Sequence, residues 1–126
     1  MKVDRTDDGL VLRLTPDDLS RTQEALEAVT GLLETENDRR LIADLAQVPD
    51  LTSLQAGTLF VLHQLCYENV ALLKLANADP KVKLVLRLLG LDRVMEAHHG
   101  REVVLESFGP HQGEPPVTEG RPPGRS

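Results

Sequence analysis

A chain of 126 residues fits one domain, and its 40% apolar and 27% charged content is that of a soluble globular protein. Twenty acidic against fourteen basic side chains give a net charge of −6, and aromatics are only 2%, which argues against nucleic-acid binding and against adsorption to anionic membranes. Cys66 is the one cysteine, so no internal disulfide is expected and a reducing compartment is the simpler address.

No apolar run approaches the roughly 20 residues of a membrane-spanning helix, and the charged start Lys2, Asp4, Arg5 lacks a signal-peptide core. The cytoplasm is the expected location. With Phe60, Tyr67 and Phe108 the only aromatics, the core must come from Leu, Val, Ile and Ala.

In chain order, a strand over residues 2–5 pairs with one over 10–14 as a hairpin across the turn Asp7-Asp8-Gly9. Thr15 reads as an N-cap, with Pro16 at the first helical position and Asp18 at capping-box spacing. The helix that follows carries Leu19, Thr22, Leu26, Val29 and Leu33 on one stripe. After Asn37-Asp38, residues 41–45 form a short apolar run of buried-strand type. A second helix is expected over residues 52–67, then a strand over 70–76.

Asp79-Pro80 opens a third helix to about residue 89, with Val82, Val85, Leu86 and Leu89 inward. Gly90 supplies its left-handed C′ residue and Leu91 the accompanying apolar contact. Residues 94–97 and 103–105 are weaker strand candidates. From 109 the chain is rich in Pro and Gly and poor in apolar residues, so residues 109–126 read as a disordered tail beyond a domain at 1–108. The fold class is α/β, a mixed sheet of four to five strands with three main helices.

Residues that could carry chemistry are sparse. His63 and Cys66 lie three apart on a helix and His98 adjoins His99, but nothing completes a tetrahedral metal set. No phosphate-binding glycine loop and no Gly-x-Ser-x-Gly elbow is present. No enzyme activity and no cofactor is expected.

Four segments, taken together in order and spacing, resemble the STAS family, whose anti-sigma factor antagonists regulate bacterial transcription by partner switching. Leu41-Ile42-Ala43-Asp44-Leu45 is similar to the family's central strand. Leu51-Thr52-Ser53-Leu54-Gln55-Ala56-Gly57 stands where the family has a Leu/Ile-Asp-Ser-Ser/Thr-Gly loop and helix start. Asn77-Ala78-Asp79-Pro80-Lys81-Val82 resembles its Ser-Pro-x-Val turn, and Leu89-Gly90-Leu91-Asp92 its Thr-Gly-Leu-Asp ending. The resemblance implies a STAS-like fold, a protein partner of the anti-sigma kinase type, and Ser53 as that kinase's phosphorylation site. Three neighbours depart from the pattern: Thr52 replaces the family's Asp, Leu54 its Ser/Thr and Gln55 its Gly.

Independently of any family, Thr52 and Gln55 form a capping box that puts Ser53 in the first helical turn, where free amides and the helix dipole favour an anion. A phosphoryl group there would change the charge of a partner-facing surface, although Asp50 opposes it. From 54 to 67 the helix has no Asp, Glu, Lys or Arg. The family register turns Leu59, Phe60, His63 and Cys66 inward and leaves Thr58, Val61, Leu62 and Leu65 outward. With Thr52, Ser53 and Leu54 these form the expected partner-binding or homodimer face.

Three functions follow as expectations. One is an anti-sigma factor antagonist switched at Ser53. Another is an accessory STAS subunit of an ABC-type lipid transporter or signalling scaffold, with permanent docking and no phosphorylation. The third, from a different class, is a small hydrolase using Ser53, which would need a histidine within hydrogen-bond reach.

Overall fold

The computed structural model describes residues 1–95. In chain order these form β1 (Lys2–Thr6), β2 (Gly9–Arg13), α1 (Pro16–Ser20), α2 (Thr22–Thr35), β3 (Arg40–Asp44), α3 (Ser53–Glu68), β4 (Leu72–Ala76) and α4 (Pro80–Leu88). Residues 91–95 add one more helical turn. The sheet order is β1-β2-β3-β4, with β1 antiparallel to β2 and the other pairs parallel. A mixed sheet with three main helices is therefore what the chain forms.

The hairpin closes with Thr6 opposite Gly9 and Lys2 opposite Arg13. Gly9 has φ +133°, and a Cβ there would collide with the Arg40 carbonyl oxygen. Only glycine lets β2 start this close to β3. Leu10 and Leu12 then stand opposite Leu41 and Ala43, which stand opposite Leu73 and Leu75. The alternation puts one leucine-rich face into the core, and Val3, paired with Leu12, extends it to β1.

Both parallel connections step the same way along the sheet. Right-handed crossovers therefore place the α1–α2 pair and α3 on the same face. Leu19, Val29, Leu59, Leu62 and Cys66 meet the strand leucines there, in one core cluster. The carboxyl end of β3 and the amino end of α3 share an edge, the edge at which open α/β sheets usually place their functional loops.

Four local expectations meet a different outcome. The helix expected from Pro16 to Leu33 is broken at Arg21, whose φ −113° and ψ 72° are not helical. At the break the Ser20 hydroxyl donates to Pro16 O at 2.9 Å, and Gln55 Nε2 from α3 reaches both Pro16 O and Ser20 Oγ. The strand expected from Val70 begins at Leu72, because Val70 takes the left-handed φ of +57°. Leu89, expected inward, is exposed at the C-cap, where the helix ends before turning it under. Val94 and Met95 are helical, so no strand begins at 94. The candidate strand at 103–105 and the tail from 109 lie outside the described residues.

The caps match their sequence signals. Thr15 and Asp18 form the first capping box, and Thr52 and Gln55 the second. Asp79 caps α4 by accepting from Lys81 N, and Gly90 has φ +75° with Leu91 packed on the core.

Candidate functional site

The loop from Leu45 to Thr52 delivers α3 to the edge of the sheet. Leu45, Val48 and Leu51 are buried and anchor it, while Ala46, Gln47, Pro49 and Asp50 face solvent. Asp44, at the end of β3, steers its start: one carboxylate oxygen accepts from Ala46 N and from Asn77 Nδ2, both at 3.0 Å. The Asn77 bond and then the Ala46 amide hold this carboxyl below its ordinary pKa. Asp50 turns its carboxylate back onto Leu51 N at 2.8 Å.

At the start of α3, Gln55 N donates to Thr52 Oγ1 at 3.1 Å and Thr52 N donates to Gln55 Oε1 at 2.9 Å. The Ala56 amide is taken by Thr52 O. That leaves the amides of Ser53 and Leu54 open at the positive end of a 16-residue helix. Thr52, Ser53 and Leu54 are all exposed, and Leu54 shows 58% of its surface. An aliphatic side chain so far out of the core, next to an exposed serine in a first turn with two open amides, is the most distinctive feature of this edge.

Gln55 does more than cap. Its Nε2 donates to Pro16 O at 3.2 Å and to Ser20 Oγ at 3.0 Å, so every polar atom of this buried side chain is engaged. One turn on, Thr58 Oγ1 lies 2.7 Å from Thr22 Oγ1 and donates to Leu54 O. These bonds clamp the amino-terminal half of α3 onto α1 and α2. Gln55→Ala would remove the return half of the capping box, leaving Thr52 N without its acceptor, and cut both bonds from α3 to α1, a loss of about 1–3 kcal/mol. Urea unfolding should show the midpoint falling at constant m-value; an unchanged midpoint would mean that the clamp contributes nothing.

The clamp corrects the expected facing of α3. Thr58 and Leu62, expected outward, are buried, because α1 and α2 cover the flank that the sheet leaves open. Phe60, expected inward, is only half-buried. Leu59, His63 and Cys66 do face the core, and Val61 and Leu65 are half-buried. The outward stripe consists of Ser53, Leu54, Gly57, Val61 and Gln64. The lack of charge from 54 to 67 thus reflects packing on two sides more than a broad exposed interface.

His63 and Cys66 are both buried core residues. His63 Nδ1 lies 3.0 Å from Leu73 O, a geometry in which Nδ1 carries the proton and donates. Burial pushes the Cys66 thiol up to about 12, with Arg39 opposing weakly, so it is an inert thiol. His63 is ten residues from Ser53 on one helix, about 15 Å along the axis, and cannot serve it as a base. His98 and His99 lie outside the described residues. Among the described residues no three His, Cys, Asp or Glu side chains gather as a metal site, and no helix is long and apolar enough to cross a membrane.

A mixed four-stranded sheet, presenting the capped start of α3 at the carboxyl edge of β3, defines a small α/β domain. Residues 1–105 match the STAS domain, and the chain belongs to that family, which is commonly involved in protein interactions and anti-sigma factor antagonism. Among solved structures it is similar in fold to the NMR structure of the protein TM1081, with a TM-score of 0.62 and 20% identity over 72% of this chain and 74% of that one. No curated protein matches.

Proposed function

We propose that this STAS domain regulates a protein partner by binding it through the first turn and outward stripe of α3, in the manner of an anti-sigma factor antagonist, with Ser53 as the switch. The contact residues are Thr52, Ser53 and Leu54 with Val61 on the stripe; Leu65, half-buried against the core, lies at its margin, and buried Thr58 and Leu62 hold the helix in place. The observation that carries this reading is exposed Leu54 beside exposed Ser53, in a first turn whose two leading amides are open. An apolar anchor with a polar rim is a common form of protein contact. A phosphoryl group on Ser53 would gain charge-assisted hydrogen bonds from those amides and set two negative charges beside the anchor.

The partner of this reading is a kinase-type anti-sigma factor. Ser53→Asp should weaken binding about tenfold or more, and Ser53→Ala should preserve it while abolishing phosphorylation. The check is a titration of both variants against the partner, with intact-protein mass after incubation with partner and ATP. Equal affinities and no phosphate on the wild-type chain would remove the switch.

Such a result would favour the second reading, an accessory subunit that docks permanently in a transporter or scaffold. Gln55 supports that alternative: where the family has glycine, it ties the helix start to α1 and stiffens the surface.

A further inference from the structure

We propose that α4 carries a second docking surface, built to take an acidic amphipathic segment of a partner protein. Val82 and Leu86 bury one side of this helix. Its opposite side holds Leu84 and Leu88, a pair at i, i+4 that is 47% and 75% exposed. At helical spacing Lys83 and Arg87 flank the pair on one side and Lys81 on the other, and all three are exposed. None of the three cations makes an ion pair with a described residue, whereas Arg5, Arg13, Arg21 and Arg40 all do. The helix contains no acid, and its nearest one, Asp79, is occupied as the N-cap.

A chain of net charge −6 thus concentrates three cations, unpaired among the described residues, around two exposed leucines on nine residues. Charge complementarity selects the occupant. Glutamates beside leucines on a partner helix would satisfy the cations while the leucines interdigitate. A second copy meeting this face symmetrically would set cation against cation. An anionic bilayer would be repelled by the rest of the acidic chain.

The test uses the full chain and two synthetic amphipathic helices with leucines along one face, flanked by glutamates in one and by lysines in the other. The glutamate helix should bind, the lysine helix should not, and rising salt should weaken the complex. Leu88→Glu, and separately Lys83→Glu with Arg87→Glu, should each lower affinity about tenfold or more without moving the thermal midpoint, since all three positions are exposed. Leu54→Glu should leave this binding unchanged, which separates the surface from that on α3.

Equal binding of both helices, or binding indifferent to the α4 substitutions, would overturn the proposal. So would comparable adsorption of the chain to phosphatidylserine vesicles. The chain's own segment 102–108, which carries Glu102 and Glu106 around Val103, Val104 and Leu105, is the remaining competitor. If reversing both glutamates to lysine in the full chain raises affinity for the glutamate helix about tenfold, that segment is the natural occupant and a partner is not needed.

Discussion

Leu62→Glu is expected to unfold the isolated chain. Leu62 is fully buried, on the flank of α3 that α1 and α2 cover, in the same core cluster as Leu19 and Val29. Removing a leucine there costs about 2–5 kcal/mol in lost burial and cavity, as Leu62→Ala should show. A glutamate adds an ion that must be desolvated without a partner, or a proton taken up to avoid it, for several kcal/mol more. Against a typical total of about 5–15 kcal/mol, the sum is enough to abolish the fold. Far-UV circular dichroism and a urea titration of both variants provide the measurement. A Leu62→Glu chain that melts cooperatively near the wild-type temperature would place this side chain on the surface and undo the packing of α3 against α1 and α2.

Leu54→Glu, eight residues earlier on the same helix, should behave in the opposite way. Its side chain is mostly in water, so the folded chain should change by no more than about 0.5 kcal/mol. A carboxylate in the first turn is even favoured by the helix dipole. Partner binding should nevertheless fall by about 2–3 kcal/mol, or roughly 30- to 150-fold, because the anchor is lost and a charge is left in a desolvated contact. The pair of substitutions separates stability from recognition on one helix. If Leu54→Glu keeps full affinity for a partner that Ser53→Asp weakens, the contact is electrostatic and Leu54 is not its anchor. If it loses stability as Leu62→Glu does, the first turn of α3 is packed and not exposed.

The outward stripe also changes which variants are informative about binding. Thr58 and Leu62 act through the fold, so a loss of binding at either reports instability. Leu54 and Gly57 face solvent in the monomer, and substitutions there read the interface directly.

Legible in the residues alone is mainly what is decided within a few positions of the chain. Thr15 with Asp18, Thr52 with Gln55, Asp79 with Pro80, and Gly90 with Leu91 are caps whose donors and acceptors lie within one turn, and all four stand as their residues imply. The element order follows from short apolar runs alternating with helical ones, and the family resemblance from four ordered segments. Ser53 at a helix start is equally local, since the capping box alone sets its place.

The facing of α3 is not local. A helix with no charge from 54 to 67 has weak periodicity, so its own residues cannot say which flank is covered. It is set by α1 and α2 packing on α3, where Gln55 reaches Ser20 and Thr22 meets Thr58 across 36 positions of sequence. The caps, the serine at the helix start and the order of the first strands and helices can be read from the residues, because they depend on contacts between near neighbours. That Thr58 and Leu62 are core while Leu54 stands in solvent emerges from the packed fold, because burial is settled by what packs against a side chain from elsewhere in the chain.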